Sequence, residues 1–460
     1  IYEPLFAETK DGLEYYLADK LDISEDGLTY TLHINDKATW SDGEPVTVKD
    51  IKFTIDYGVL VYGGPTSFTK VNGGEVQINE IDDKTMEFVL PSVYDNYVRT
   101  LSQFYPMPAH AFDNDPSKIN DSTYFKTPGM ATSGAYVVSE INEDSFVYTA
   151  RDDYYRGTPS VKKVVIKTIG SGSTKQIEFE NGGIDYMRVT SAEDLKKYKE
   201  ESDKYNMYSI SEARLNYLQL NPHGPVMSTL SQDARKAIFL ALDKDAIVDF
   251  AWGSDELAEP ANSLITPDQS IYNKDCKGYN FNLEEAKKLA KSSGLEGKEL
   301  TYIYNSDRAN MEAVATVVQQ QLAEIGVTVN IESCDTSTFF PRFFASKDKE
   351  LATTWDLGTN GWDSQRGSNC GQAISYFTNR LCDCGYSDEV SGLAQKAIGT
   401  ADAKEKQELW NTIQDKALEE CWEYPLTYTN FVMVSQKNVT GLDGSSVVPE
   451  FIDYLSIHVD

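Results

Sequence analysis

Apolar and polar residues alternate through Leu-Thr-Tyr-Thr-Leu-His-Ile at 28–34, which predicts a half-buried strand entered through the turn residue Gly27. The same reasoning predicts strands at Thr85–Leu90, after the Asp82-Asp83-Lys84 turn, and at Ala135–Val138, Phe146–Ala150 and Val161–Ile166. Further on the period lengthens. Ser231–Phe250 carries Ala234, Ile238, Leu242 and Ile247 on one helical face behind a serine cap, and Leu283–Ser293, Arg308–Ile325 and Lys404–Glu420 also read as helices. Short buried strands at Leu300–Tyr304, Val327–Ile331 and Asp356–Thr359 lie between them, giving a β-α-β rhythm over residues 280–360. A β-rich first third followed by a larger α/β region predicts separate lobes joined by ordered crossings, since neither repeats nor a low-complexity linker interrupt the pattern.

Length and composition agree. A chain of 460 residues with 40% hydrophobic and 12% aromatic content can bury several cores, so two or three domains are expected. No run approaches the roughly 18 uninterrupted apolar residues of a membrane helix. With 72 acidic against 42 basic residues, a formal charge of −30, the chain would repel phosphate backbones, and nucleic acid is not an expected partner. The acidity reads as a surface solubility device.

Candidate chemistry is sparse. GxSxG, Walker and GxGxxG patterns are missing, and Gly170-Ser-Gly-Ser-Thr-Lys175 reads as a surface turn whose spacing does not fit a phosphate loop. Six cysteines form no CxxC pair and four histidines show no metal-ligand spacing, so neither a metal centre nor a cofactor is expected, and no catalytic residue is assigned. Cys370, Cys382 and Cys384 lie close enough for a short-loop disulfide in an extracytoplasmic chain.

A specific resemblance emerges at Ser24-Glu-Asp-Gly-Leu-Thr-Tyr-Thr-Leu-His-Ile34, continuing in Trp40-Ser-Asp-Gly-Glu-Pro-Val-Thr-Val-Lys-Asp-Ile-Lys-Phe-Thr54. This stretch resembles the signature of the family 5 extracellular solute-binding proteins, the oligopeptide- and dipeptide-binding group of ABC importers. Collinear matches follow at Tyr2-Glu-Pro-Leu5, Thr132-Ser-Gly-Ala-Tyr136, Arg151-Asp-Asp-Tyr-Tyr-Arg-Gly157, Gly183-Ile-Asp185, Asp233–Ile238, Asp243–Ile247 and Asn282–Leu289. Asp42-Gly43 makes a turn, Pro45 stiffens its exit and a helix starts at Thr47 or Lys49-Asp50, so these residues read as scaffold.

The resemblance implies an α/β, two-lobe clamp of the periplasmic-binding-protein kind (type II, the large cluster C) with an extra small α+β domain. Residues 1–124 would form that small domain, 125–218 with 430–460 the principal domain of lobe one, and 219–429 lobe two. Family members carry a strand before Tyr-Glu-Pro-Leu, so part of the first domain is expected to lie outside this sequence. Hinge crossings would fall near Tyr217–Asn221 and Tyr428–Asn430, with ligand held in the cleft between lobes.

Cleft residues are expected around Gly361-Trp-Asp-Ser-Gln-Arg-Gly367. In peptide-binding relatives a carboxylate three positions after the matching tryptophan pairs with the peptide's α-ammonium. Here that position is Gln365, followed by Arg366, and the nearest carboxylate is Asp363. Either Asp363 takes the ammonium contact through a local gap, or the ligand has no free amine there and Arg366 reads a carboxylate or phosphate. The expected ligand contacts are Trp362, Asp363, Gln365, Arg366, Tyr217 and Tyr428. A peptide is the expected ligand, with an oligosaccharide or another non-peptide solute, chelated nickel included, as the alternative. The partners would be the ligand and the membrane permease of the importer; the protein would act as a monomer, free in a periplasm or anchored as a surface lipoprotein.

Overall fold

The computed structural model describes residues 1–9, 12–94, 96–170, 172–345, 350–363, 376–378, 383–400, 402–443 and 453–460. Two compact units divide the chain: Ile1–Met187 with Glu201–Tyr208 and Met433–Asp460, and Arg188–Glu200 with Ser209–Val432.

In the first unit the alternation at 28–34 becomes the strand Thr29–Ile34, paired antiparallel with Ala18–Ile23 on one side and Thr85–Val89 on the other, with Gln77–Glu80 beyond. Tyr30, Leu32 and Ile34 turn inward with Met86 and Phe88, and Trp40, Ile51 and Ile55 complete the core. The helix Val48–Tyr62 follows Thr47 and ends where Gly63 takes φ 66°, a left-handed stop that glycine adopts at no steric cost. Asp50 explains why the Trp-Ser-Asp-Gly-x-Pro segment is spaced as it is. Its carboxylate accepts from the Thr47 amide at 2.8 Å, the Ala109 amide at 2.9 Å and the Trp40 indole at 3.3 Å, tying turn, helix and a later segment together. Burial, opposed by those hydrogen bonds, raises its pKa.

Buried Arg151 performs a similar task. Its guanidinium donates to the carbonyls of Thr39, Trp40, Thr132 and Gly134, so the two family-like segments it bridges hold one another in place. A three-stranded antiparallel sheet, Tyr136–Ile141, Ser145–Ala150 and Lys163–Lys167, completes the β-rich region. The Gly170–Lys175 run is not a surface turn: a helix occupies Gly172–Glu180, because the polar start leads into good helix formers and Phe179 is fully buried.

The second unit has the parallel character that the β-α-β rhythm predicts. Glu299–Asn305 pairs parallel with Thr328–Cys334 through the helix Met311–Ala323, and parallel with Leu357–Asp363 on its other side. Leu357–Asp363 then pairs antiparallel with the long strand Tyr205–Leu220. Ser231–Phe250 is two helices and not one, Gln232–Ala241 and Lys244–Ala251. Leu242 leaves the helical region and Asp243 caps the second helix by accepting from the Ala246 amide at 3.2 Å, while its own amide donates to Gln321. Cys276, Cys334 and Cys421 are buried free thiols, whereas Cys370 and Cys382 lie outside the described residues.

Candidate ligand cavity

Charged and polar residues recur every second position in the second half of the long strand: Glu212, Arg214 and Asn216 alternate with Ala213, Leu215 and Tyr217. A strand sends such a set to one face of its sheet. Neighbouring strands add Thr359 and Gly361 on one side and Thr429 on the other, and the three together wall a polar cavity of about 110 Å³ within the second unit. Asn305 ends the parallel strand before it, and Arg308 and Asn310 lead from there into the helix Met311–Ala323, also lining the cavity. The cavity thus lies at the carboxyl ends of two parallel strands, where open α/β sheets place their ligands.

Three arginines, Arg188, Arg214 and Arg308, line the cavity together with one carboxylate residue, Glu212, among the described lining residues. Arg188 donates to Glu212 Oε2 at 2.9 Å and lies over the Phe431 ring at 4.7 Å; the Thr429 hydroxyl donates to the same oxygen at 2.8 Å. Arg214, nine-tenths buried, donates through Nε to Asn216 Oδ1 at 3.3 Å, and the Asn216 amide donates to Thr427 Oγ1 at 3.1 Å. The start of the helix adds the positive end of its dipole. Two residues here take positive φ without being glycine, Ala213 at 50° and Asn310 at 68°. For alanine that is a costly conformation, and strain of this kind gathers at working sites. The arrangement can hold and orient an anionic group; among the described residues no cluster suited to a metal ion occurs.

The residues expected from the sequence fall elsewhere or outside. Trp362 is 3% exposed on the opposite face of its strand from the cavity-lining Gly361, its ring 4.6 Å from Tyr376 and 5.9 Å from Tyr217. Tyr217 donates its hydroxyl to Tyr376 at 2.8 Å, so these three form an aromatic cluster beneath the cavity wall and do not line it. Tyr428 is likewise buried, its hydroxyl bonded to the Ser263 amide and to the Ser263 and Ile265 carbonyls, and it anchors that loop. Both tyrosines lie inside the second unit. Asp363 ends its strand with its backbone paired to Arg214; Gln365 and Arg366 lie outside the described residues. Arg188, Glu212, Arg214 and Arg308 were missed by sequence reasoning. The readable signal was two charges at period two, Glu212 and Arg214, alternating inside a strand with the apolar Ala213 and Leu215.

Comparison with known proteins now decides the family. Residues 12–380 match the bacterial extracellular solute-binding proteins, family 5 (middle region). The chain belongs to this family. A Brucella ovis protein named for peptide binding in an ABC transporter is 26% identical over 348 residues, covering 74% of this chain and 64% of that protein, so the match spans under two thirds of the relative's length. The solved structure of AppA from Clostridium difficile, named as a peptide-binding protein, is 27% identical with a TM-score of 0.89, covering 100% of this chain and 95% of that one. CtaP from Listeria monocytogenes, an ABC transporter substrate-binding protein, is 28% identical with a TM-score of 0.86, covering 100% and 93%. The two-lobe, type II α/β architecture expected of a family 5 protein is therefore the fold of this one.

Proposed function

We propose that this family 5 protein is the solute-binding component of an ABC importer, that it captures peptides, and that the cavity bounded by Arg188, Arg214 and Arg308 receives a carboxylate of the bound chain. One observation carries the reading: three guanidinium groups line the cavity against a single described carboxylate, and Glu212 is already engaged by Arg188 and Thr429. A carboxylate leaving water needs opposite charge and several donors, which this wall supplies. The peptide-binding names of the Brucella and Clostridium relatives support the ligand class. A second reading, an oligosaccharide or other non-peptide solute such as chelated nickel, is favoured by the asparagines 216, 305, 310 and 430, whose amides offer both donors and acceptors to hydroxyl groups.

In either case no bond is made or broken. Binding energy shifts an open–closed equilibrium, and the closed monomer presents its solute to the permease outside the cytoplasm, as a periplasmic protein or a surface lipoprotein. On this reading residues 1–124 are the extra domain, 125–218 with 430–460 the principal domain and 219–429 lobe two, and Asp363 or Arg366 meets the far end of the ligand. No helix among the described residues is long and apolar enough to cross a membrane.

The test is mass spectrometry of small molecules released by denaturing the purified protein, followed by calorimetry with a mixed di- to pentapeptide library. Recovered peptides and heat from the library, weakened in Asp363→Ala if that carboxylate meets the ammonium, uphold the peptide reading. Recovered sugars or an anionic metabolite, with no heat from any peptide, overturn it in favour of the second.

A further inference from the structure

Gly361 stands opposite Asn216 in the antiparallel pair, at the centre of the cavity wall. A glycine in the interior of a strand weakens it relative to alanine, so its presence calls for a local reason. Backbone conformation is not that reason, since the φ of Gly361 lies outside the left-handed region that L side chains avoid. Space is. A Cβ built on Gly361 would fall 2.5 Å from Arg214 Nη2, 2.7 Å from its Cζ and 2.7 Å from Asn216 Oδ1. The guanidinium therefore occupies the space over the bare backbone of Gly361 that a Cβ would fill, steadied by the bond from Arg214 Nε to Asn216 Oδ1.

Gly358, three residues earlier on the same strand and so on its other face, makes the contrast plain. Its added Cβ would meet the Phe343 ring at 2.9 Å and the Trp355 ring at 3.0 Å, two stacked aromatics that cannot step aside. At Gly361 the obstacles are only the far ends of two polar side chains, which can move while the fold stays intact.

We infer that Gly361 is a positioning and specificity-determining residue: by leaving the space over its backbone empty it fixes the Arg214 guanidinium where a ligand carboxylate is read. The ligand class follows from the arginine-lined cavity and rests on the peptide reading above; the positioning of Arg214 does not.

The test uses two mixed di- to pentapeptide libraries, one with free C-terminal carboxylates and one C-terminally amidated, offered in competition to the full chain and quantified by mass spectrometry of what is retained. Wild type is expected to prefer the free acids by about tenfold or more, the range of a charge-assisted hydrogen bond. Gly361→Ala should fold with an unchanged melting temperature to within a few degrees and lose most of that preference. Arg214→Gln should lose it too, and the double variant should lose no more than Arg214→Gln alone, which a merely structural role for Gly361 would not produce. Undiminished preference in Gly361→Ala, or additive losses in the double variant, overturns the inference. Equal retention of both libraries by wild type overturns the carboxylate assignment while leaving the peptide reading standing; retention of neither overturns the peptide reading itself. A crystal structure of Gly361→Ala decides the positioning without any ligand: a displaced Arg214 guanidinium upholds it, and an unmoved one ends it.

Discussion

Arg188 and Glu212 form a 2.9 Å ion pair at the edge of the cavity, with Thr429 donating to the same carboxylate oxygen and Phe431 beneath the guanidinium. The pair holds Arg188 in place while cancelling its charge, so only part of the cavity's positive potential reaches a ligand. Glu212→Gln keeps an acceptor for Arg188 and Thr429 and removes the negative charge. The affinity for a carboxylate-bearing peptide should rise by about three- to tenfold in low salt, as expected of one unit charge about 4 Å away in a largely aqueous dielectric, worth about 1 kcal/mol. Titration calorimetry at low and high ionic strength checks this, and the gain should shrink as salt screens it. Weaker binding at both salt concentrations would mean that Glu212 itself meets a cationic part of the ligand.

The Asp50 carboxylate in the first unit joins Trp40, Thr47 and Ala109. Asp50→Ala leaves the donors of Trp40, Thr47 and Ala109 without their acceptor in a buried or half-buried place, and each such loss costs on the order of 1–3 kcal/mol less whatever water recovers. Urea unfolding should show the first unit destabilised by about 3 kcal/mol, with Trp40 fluorescence reporting it. Ligand affinity measured well below the transition should stay unchanged, because Asp50 belongs to the scaffold of the first unit and the cavity to the second.

These two sites mark how far the sequence could be read. The scaffold was legible because its constraints are local: Asp42-Gly43 turns, Pro45 stiffens, Asp50 caps, and each leaves a residue-type signature at fixed spacing. Strand and helix placement followed from periodicity for the same reason, failing where Asp243 interrupts a continuous apolar face to restart a helix. The cavity was not legible. Arg188, Arg214 and Arg308 are far apart in sequence and meet only through the order in which strands pair, which no local pattern encodes. Trp362 drew attention by its type, yet strand alternation sends it to the face opposite Gly361.

Glu423 supplies a pH prediction. It is buried, accepts one hydrogen bond from Tyr386 at 2.6 Å, has no partner for Oε1 among the described residues, and burial pushes its pKa up to about 8. Its folded pKa thus exceeds the ordinary value near 4.5 of the unfolded chain. The folded state then binds the extra proton between those two values, and stability falls as pH rises through that window. Calorimetric unfolding should give a lower melting temperature at pH 8 than at pH 5.5 from this group. Glu423→Gln, neutral at every pH, should remove that part of the slope and be the more stable protein at pH 8. An identical pH dependence in the variant would show that Glu423 does not titrate in this range.

Trp362 can be separated from the ligand by one conservative change. Its indole N–H is buried without a hydrogen-bond partner among the described residues, a donor that weighs against the stability its ring provides through Tyr376 and Tyr217. Trp362→Phe keeps an aromatic ring in the cluster and deletes the orphan donor, at the cost of a smaller ring. Loss of packing and relief of the unpaired donor oppose each other at about 1–3 kcal/mol each, so the net change in unfolding free energy should stay within about 1 kcal/mol. Because the ring lies on the face turned away from Gly361, peptide affinity should remain within about twofold of wild type, under 0.5 kcal/mol. Loss of binding in a variant that melts normally would place the indole against the ligand and move the site from the arginine-lined wall to the aromatic cluster.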